Sequence, residues 1–436
     1  MTELLIPEKT SEPVVNLVLH TLENKKQALV FVNAKRSAEK VAEDISKKIN
    51  SQNSEHLELA ERIVNVLSKS TRQCERLAMC VKKGIAFHHS GLASKQRELI
   101  EDNFRKGTIK IICCTPTLSM GIDLPAFRSI IRDVKRYSER KGMDYIPVLE
   151  YLQMAGRAGR PKFDDRGEAI IVSSSQGEKD FAHENYILGE PEAIYSKLSV
   201  EPVLRTYILS LISSKIVQSK EQIEAFFSKT FWAHQYKDLG ELFDKIEKMI
   251  NLLTKWEFIN PKEDKYEATY IGKRVAELYV DPLTADKLTA SVKRAGAMSN
   301  LRSIALVHAV CNTLEMRPLL NVKVKEYDNI LEEANKLEGE FIDLQPSMFE
   351  SEYEDWLNAL KTALMLNDWM EENDEEYLLE KYDVRPGELH NKIENADWLL
   401  YSCYEFARIN QLQPLLKEIS KARYRLKYGV KEELLT

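Results

Sequence analysis

The chain has 436 residues, of which 44% are hydrophobic and 30% are charged, with a formal net charge of −6. Because a single hydrophobic core stops growing near roughly 250 residues, this length predicts about three domains. No apolar run reaches the roughly 18 residues that a membrane-spanning helix needs. The opening residues, MTELLIPEK, lack the basic and apolar regions of a secretory signal. We therefore expect a globular, cytoplasmic protein without a membrane partner.

The six cysteines, at positions 74, 80, 113, 114, 311 and 403, form no C-x-x-C pair and no spacing typical of zinc ligands. Buried, reduced thiols are the expected state. His88 and His89 adjoin one another, but no third ligand follows at a recognisable spacing. The sequence predicts no metal site.

Between residues 28 and 173, short β-branched runs alternate with amphipathic segments; the runs are ALVFV, GIAFHH, IKIICCT, FRSIIR and EAIIVS. This alternation predicts a parallel sheet with helices on both faces. Polar residues follow the strand ends at Asn33, Ser90 and Thr115. Ligands of such sheets collect at that edge, so these residues are candidates for binding.

After SSSQGEKD at 173–180 the alternation stops. Residues 203–218, 221–229 and 240–255 predict three helices, and two short β-like runs follow around a Pro-Lys-Glu-Asp-Lys turn. Together they indicate a winged helix, which binds nucleic acid in some proteins and serves only for packing or dimerisation in others. From Asp281 onwards the pattern predicts helices only.

The segment QMAGRAGRP begins at Gln153 and contains two arginines among small residues. If residues 148–160 form a helix, Gln153, Arg157 and Arg160 share one face. Guanidinium groups presented together suit the oxygens of a phosphoryl group in transfer. The alternative is a surface helix whose arginines pair with nearby acids.

A complete nucleotide site would also need a glycine-rich loop ending in Gly-Lys-Ser/Thr. The sequence has none, because its Gly-Lys pair at 272–273 is followed by Arg274. The phosphates that the arginines would serve are therefore expected on another domain.

Two segments concentrate positive charge. Residues 128–142 carry six Lys and Arg against two acids, and residues 417–431 carry six against one. Such patches attract phosphates. They are equally compatible with a solvated surface that balances the acidic EENDEE at 371–376.

Residues 388–408 predict a helix with one apolar stripe, formed by Leu389, Ile393, Ala396, Leu400, Cys403 and Ala407. Trp398 falls opposite this stripe, among polar residues. Stacking on a nucleobase would explain a tryptophan there, and so would packing on a neighbouring domain.

Four segments resemble motifs IV, IVa, V and VI of superfamily 2 helicases, and most resemble the archaeal Hjm-type DNA repair helicases. They are LVFVNAKRSAE (29–39), HHSGLASKQRELIEDNFRKG (88–107), CTPTLSMGIDLPAFRSII (114–131) and QMAGRAGRPKFDDRGEAIIV (153–172). The resemblance continues through LYVDPLTA (278–285) and EKYDVRPGELHNKIENADWLLY (380–401).

The resemblance implies an α/β plus all-α architecture. A second RecA-like domain would occupy residues 1–190, a winged helix 191–280, and a helical bundle called the ratchet domain 281–436. The family's first RecA-like domain and its C-terminal helix-hairpin domain are expected to be absent, so the chain would be a fragment.

The resemblance also implies roles for individual residues. Gln153, Arg157 and Arg160 match the catalytic residues of motif VI that reach the ATP γ-phosphate. Gly121 and Asp123 match motif V and are the candidate cofactor-binding residues, although the family often has asparagine at the position of Asp123.

Further residues are implied in DNA binding. Ser90 and Thr115 match positions that hold the DNA backbone, and residues 134–148, with Arg136 and Tyr137, match the β-hairpin that splits the duplex. Trp398 matches the stacking tryptophan. The family's arginine one heptad earlier is replaced by Asn391, with Lys392 beside it as the candidate contact.

The implied activity is ATP-dependent, 3′ to 5′ DNA unwinding in replication-fork repair by a monomer that binds single-stranded and forked DNA. ATP and Mg²⁺ would be bound mainly by the absent first RecA-like domain, so this chain alone should bind DNA without hydrolysing ATP. Two alternatives stay open: an RNA helicase of the exosome-associated type, and a non-catalytic nucleic-acid-binding scaffold.

Overall fold

The computed structural model describes residues 4–50, 53–120, 123–138, 142–160, 164–236, 239–262 and 265–435. Contacts divide the chain into two compact units. The first comprises Met1–Ala193 and Glu375–His390, and the second comprises Ile194–Asp374 and Asn391–Thr436. The first unit thus includes a short segment that the sequence analysis placed in the helical domain.

A parallel sheet forms the centre of the first unit. Its strands are β1 (Ala28–Phe31), β2 (Ile85–His88), β3 (Ile111–Cys114), β4 (Arg128–Ile131) and β7 (Glu168–Ile171). They lie in the order β2-β3-β1-β4-β7, and every neighbouring pair is parallel. All residues of β1 to β4 are buried, which explains their continuous apolar character. The predicted parallel sheet is confirmed.

Helices precede, connect and follow these strands: α1 (Pro13–Glu23), α2 (Lys35–Ser46), α3 (Ser54–Val64), α4 (Arg72–Val81), α5 (Ser94–Lys106), α6 (Val148–Ala155) and α7 (Gln176–Ala182). The side chains of Asn53, Thr71 and Ser175 accept hydrogen bonds from backbone amides at the starts of α3, α4 and α7. A 3₁₀-helical turn, Pro116–Ser119, follows β3.

Two further strands, β5 (Lys135–Ser138) and β6 (Gly142–Tyr145), pair antiparallel between β4 and α6. They form the β-hairpin that the resemblance implied for residues 134–148. The hairpin is therefore confirmed as an element of the fold.

The second unit begins with helices α8 (Glu201–Ser213), α9 (Lys220–Phe227), α10 (Phe231–Tyr236) and α11 (Gly240–Lys255). An antiparallel pair, β8 (Ile259–Lys262) and β9 (Lys265–Ala268), follows, and then α12 (Tyr270–Leu278). The helices and hairpin of a winged helix are confirmed, although α8 ends at Ser213 rather than at residue 218.

The rest of the chain is helical: α13 (Pro282–Ala295), α14 (Ser303–Cys311), α15 (Tyr327–Lys336), α16 (Tyr353–Met370), α17 (Glu375–Tyr382), α18 (Pro386–Ile409) and α19 (Gln413–Tyr428). No strand occurs between residues 281 and 435, as predicted. Trp356 of α16 lies in a buried cluster with residues of α14 and α15, among them Ile304 and Ile330.

All six cysteines are buried and free, as expected from their spacing. Burial raises the pKa of the Cys80, Cys311 and Cys403 thiols to about 12, which keeps them protonated at neutral pH. Within the described ranges, every helix is too short or too polar to cross a bilayer.

Candidate nucleic-acid and nucleotide interface

The carboxyl ends of three neighbouring strands meet at one cavity in the first unit. Asn33 follows β1, Ser90 follows β2 and Thr115 follows β3, and all three line a space of about 340 Å³. The Thr115 and Thr117 hydroxyls lie 2.9 Å apart there. The structure therefore brings together the polar residues that the sequence placed at separate strand ends. Hydroxyl and amide groups at such an edge can bind phosphate oxygens.

Two cationic residues line the same cavity. Lys35, the first residue of α2, was not identified from the sequence, although its place directly after the β1 turn is a signal for it. Arg136 was identified. Its Nη1 lies 3.0 and 2.8 Å from the two carboxylate oxygens of buried Glu150. The Arg136 guanidinium is thus anchored in the protein and offers its remaining N–H groups to a ligand.

The β5–β6 hairpin presents apolar side chains to solvent. Tyr137 is 72% exposed and pairs across the hairpin with Met143, which is 61% exposed. Lys135, at the base of β5, pairs with Glu178 at 3.1 Å and lies 4.7 Å from the centre of the Tyr145 ring. The base of the hairpin is tied to the first unit, while the exposed side chains of Tyr137 and Met143 can contact a partner.

The expectation of one helical face for Gln153, Arg157 and Arg160 is wrong. Helix α6 ends at Ala155, with Gly156 as its C-cap, and Gly159 has a φ of +95° that a helix does not allow. The two arginines therefore lie in a loop beyond the helix. Their orientation depends on tertiary contacts rather than on helical spacing.

Arg157 is held by the turn after β3. Its Nε donates to the carbonyl oxygen of Ser119 at 3.1 Å, and its Nη2 donates to the same oxygen. This contact joins the loop of motif VI to the first part of motif V, residues 114–131. Among the described residues, no hydrogen bond engages Nη1 of this partly buried guanidinium.

Arg160 is paired with Asp164 and also donates to the side-chain oxygen of Gln27. Asp164, which the sequence analysis assigned to a turn, also accepts a hydrogen bond from Lys26 at 2.6 Å. The hydrogen bond from Arg160 is the main cause that lowers the pKa of Asp164, and burial opposes it. Of the two interpretations of these arginines, phosphate contact or pairing with a nearby acid, the structure shows the second for Arg160.

Gln153 lies on the last turn of α6, and its Oε1 is buried without a hydrogen-bond partner among the described residues. A buried oxygen without a hydrogen bond lowers the stability of the fold, so a ligand that donates a hydrogen bond to Gln153 Oε1 would be bound favourably. Asp123 is exposed. Gly121, the other candidate from motif V, lies outside the described residues.

In the second unit, Trp398 is half-buried on α18, and its Nε1 donates to the carbonyl oxygen of Leu278 at 2.9 Å. The apolar stripe of α18 is buried, as predicted. The opposite face is polar but only partly exposed to solvent: Asn391 is exposed, whereas Ser402 and Glu405 are buried. Arg274 also pairs with Glu405 at 2.9 Å. The expectation of a polar, solvent-facing surface therefore fails at Ser402 and Glu405, and the Trp398 ring retains an accessible part.

The candidate phosphate contact Lys392 donates to the backbone carbonyl oxygens of Met316 and Pro318, the latter at 2.6 Å. In the basic segment 417–431, Arg423 pairs with Asp397 at 2.8 Å and Arg425 pairs with Glu371. These cations are largely engaged within the unit. The structure therefore favours a balanced surface over a free phosphate-binding patch here.

The cations of segment 128–142 that the structure describes are engaged in the same way. Arg128 is buried and pairs with Glu168 at 2.6 Å, and Arg132 pairs with Asp133 at 3.5 Å. Asp133 is the neighbour of Arg132 in the sequence, whereas Glu168 belongs to β7, so the pairing of Arg128 could not be read from the charges of the segment.

Three family models match the chain. "Helicase conserved C-terminal domain" matches residues 47–162, "Helix-turn-helix domain" matches 167–260, and "Archaeal helicase, domain 4" matches 304–429. They follow the chain in the same order as the sheet domain, the winged helix and the helical region.

The chain is also similar to complete archaeal proteins named ATP-dependent DNA helicase Hel308. It is 40% identical to the protein of Pyrococcus horikoshii over 427 residues, which is 96% of this chain and 58% of the relative. The proteins of Methanocella arvoryzae and Methanococcus vannielii are 36% and 34% identical over 97% of this chain, and 57% and 60% of their own lengths are covered. The chain thus spans less than two thirds of these relatives.

Proposed function

We propose that this chain is the C-terminal part of an archaeal ATP-dependent helicase of the Hel308 type that moves 3′ to 5′ on single-stranded DNA. The observation that carries the proposal is the 40% identity over 96% of the chain. Single-stranded and forked DNA are the proposed substrates, a monomer is the working form, and the location is cytoplasmic. The relatives named above are DNA helicases, which favours DNA over RNA.

The strand-end cavity supports a role in holding the DNA backbone. Ser90 and Thr115 offer hydroxyl groups there. The cations Lys35 and Arg136 line the same space, although each is also paired with a carboxylate, that of Glu388 or Glu150. Contacts of this kind fix the position of a nucleic acid without reading its sequence. A translocating enzyme needs such contacts because it must release and rebind any sequence.

The end of α6 and the loop after it supply the residues that would face ATP. Arg157 and Arg160 carry the positive charge, and Oε1 of Gln153, buried without a hydrogen-bond partner among the described residues, is suited to accept a hydrogen bond. Because the given sequence has no Gly-Lys-Ser/Thr loop to hold the phosphates, these residues would act on a triphosphate that another domain binds. ATP, when bound, supplies the free energy of hydrolysis.

Within that site, the residues of this chain neutralise phosphate charge. For Arg160 to do so, its guanidinium must share or exchange its contact with Asp164. The described residues contain no cluster of three His, Cys, Asp or Glu that could hold a metal ion.

The proposal is tested in two preparations. The 436-residue chain should bind a single-stranded DNA oligonucleotide with a strong salt dependence and show no ATPase activity. In the longer parent helicase, Arg160→Ala should reduce DNA-stimulated ATP turnover by roughly 10³-fold or more. Arg166→Ala, an exposed arginine of the same loop, is the matched control and should retain turnover. If the 436-residue chain did not bind DNA and DNA did not stimulate ATP turnover by the longer protein, a helicase function would be excluded.

A further inference from the structure

The loop that follows β2, residues 89–92, is held by a segment that comes much later in the chain, residues 385–387. Both lie in the first unit. The loop contains Ser90, which lines the strand-end cavity. The later segment leads into the first turn of α18.

The two backbones approach very closely. The amide of Gly387 donates to the carbonyl oxygen of Gly91 at 3.1 Å. A Cβ atom at Gly387 would collide with the carbonyl oxygens of Ser90 and Leu92, and a Cβ atom at Gly91 would collide with the side chain of Arg385. At position 387 only glycine permits this contact, because the obstacle is backbone, whereas a side chain at position 91 would displace the side chain of Arg385.

Arg385, which adjoins this contact, belongs to a buried ionic cluster that surrounds the Glu39 carboxylate of α2. Arg385 Nε lies 3.2 Å from Glu39 Oε1, Gln73 Nε2 donates to the same oxygen at 3.0 Å, and Arg76 Nη1 lies 2.6 Å from Oε2. Arg385 is 8% exposed. Burial alone would raise the pKa of Glu39, but these contacts and His89 lower it well below its usual range. Glu39 is therefore ionised and requires its cationic partners.

His89 connects this cluster to the loop backbone. Its Nδ1 accepts a hydrogen bond from the amide of Gly91 at 3.1 Å, and its Nε2 lies 3.2 Å from Glu39 Oε1. Because Nδ1 is an acceptor, a neutral ring carries its proton on Nε2, which faces the carboxylate. Burial lowers the pKa of His89, which is consistent with the neutral form. Arg385 and His89 thus both lie beside the Glu39 carboxylate, and His89 accepts the hydrogen bond of the Gly91 amide.

Other ion pairs attach the same late segment without reaching the loop. Arg36 donates to both oxygens of Asp383 at 2.8 Å, and both side chains are well exposed. Exposed pairs of this kind contribute about 0–1 kcal/mol. Arg36 therefore provides a control that weakens attachment of the segment but leaves the loop contacts intact.

We propose that Arg385 and Gly387 are positioning residues for the Ser90 loop: they hold its backbone in the geometry at which Ser90 contacts a DNA phosphate. The inference rests on the proposed function, which assigns Ser90 to the DNA backbone. It adds a role for residues that touch neither DNA nor nucleotide.

The test uses the 436-residue chain with Gly387→Ala, Arg385→Ala, Arg385→Lys and the control Arg36→Ala. Binding of an oligothymidylate is measured by fluorescence anisotropy over a range of salt concentrations. We expect Gly387→Ala and Arg385→Ala to weaken binding about threefold or more and to reduce the slope of log K against log salt by about 1 per lost phosphate contact. Arg385→Lys should retain part of the affinity, and Arg36→Ala should match the unchanged chain.

Hydrogen exchange supplies a second readout that does not need DNA. The amides of Gly91 and Leu92 should exchange faster in Gly387→Ala and Arg385→Ala but not in Arg36→Ala. A purely structural role would lower the unfolding temperature and leave the salt slope unchanged, and that result would overturn the inference. If Arg385→Ala does not fold, Gly387→Ala and Arg385→Lys decide the question. Failure of the unchanged chain to bind DNA would reject the proposed function, while the exchange rates still test the loop.

Discussion

Arg160 forms a two-bond ion pair with Asp164: Nε lies 2.6 Å from Oδ2 and Nη2 lies 3.1 Å from Oδ1. The Asp164 side chain is only 1% exposed and also binds Lys26. Arg160, which is expected to contact the phosphates of ATP, is thus oriented by the Asp164 carboxylate of its own loop. The pair fixes the guanidinium, and a phosphate would have to compete with Asp164 for it.

Asp164→Asn should lower the free energy of unfolding by about 1–3 kcal/mol, because two cations lose their common charged partner. The pKa of Asp164 is lower in the folded state than its ordinary value of 3.8. Ionised Asp164 therefore stabilises the fold at pH values above 3.8, and this stabilisation is lost as the pH falls through the pKa of the folded state. Urea unfolding at pH 7 and at acid pH measures both effects. Asp165→Asn, an exposed neighbour, should change neither, and equal losses in the two variants would contradict a specific role for the pair.

Two substitutions distinguish the hydrogen bond of the Trp398 indole N–H from stacking on its ring. Trp398→Phe removes the hydrogen bond to Leu278 but keeps an aromatic face, so stability should fall by about 1 kcal/mol and single-strand binding should persist. Trp398→Ala should also lose about 1–3 kcal/mol of binding free energy if a base stacks there. Thermal unfolding and anisotropy titrations distinguish these effects. Binding by Trp398→Ala equal to that of Trp398→Phe would leave packing as the sole role of this residue.

The parts of the fold predicted from sequence are those with strong local patterns. The strands around Leu29, Phe87 and Ile112 are continuous apolar runs because the sheet is covered on both faces. The 24-residue helix α18 follows from the periodic apolar stripe that begins at Leu389. In these elements, the local preferences of the residues and their burial in the fold agree, so the pattern of apolar residues was sufficient to predict the strands and the helix.

The candidate site was less predictable because its geometry depends on distant partners. The spacing of Arg157 and Arg160 suggested a helix, but glycines end it, and partners such as Ser119 and Gln27 determine where the guanidinium groups point. Ser119 precedes Arg157 by 38 residues and Gln27 precedes Arg160 by 133. No periodicity in one sequence reports contacts at such separations. The same holds for Arg385 and Glu39.

Tyr137 offers a test of the hairpin in the longer parent helicase. Because its ring is exposed, Tyr137→Ala should change the free energy of unfolding by less than about 0.5 kcal/mol. Duplex unwinding should become slower, while single-strand-stimulated ATPase activity is retained, since the loss affects strand separation only. Tyr207→Ala, an exposed tyrosine of α8, is the control for general effects on a helicase assay. A normal unwinding rate in Tyr137→Ala would exclude the ring from strand separation.

His308 of α14 makes the second unit sensitive to acid. It is 1% exposed between the rings of Phe341 and Trp356, at 5.0 and 5.2 Å, and its Nε2 has no hydrogen-bond partner among the described residues. Burial lowers the pKa of His308 to about 4 from 6.5, although the charge of Asp343 opposes this shift. Because the folded pKa is the lower one, the unfolded chain binds the proton first as the pH falls.

The stability contributed by neutral His308 is complete above about pH 6.5 and decreases as the pH falls towards 4. For a difference of this size, the loss from this group at pH 4 is about 3 kcal/mol. His308→Leu cannot be protonated, so its free energy of unfolding should fall less steeply over this range, as measured by urea unfolding at each pH. His234→Leu, a substitution of an exposed histidine on α10, should leave the steep dependence intact. Parallel pH profiles for the unchanged chain and His308→Leu would show that carboxylates, and not this buried ring, cause the acid sensitivity.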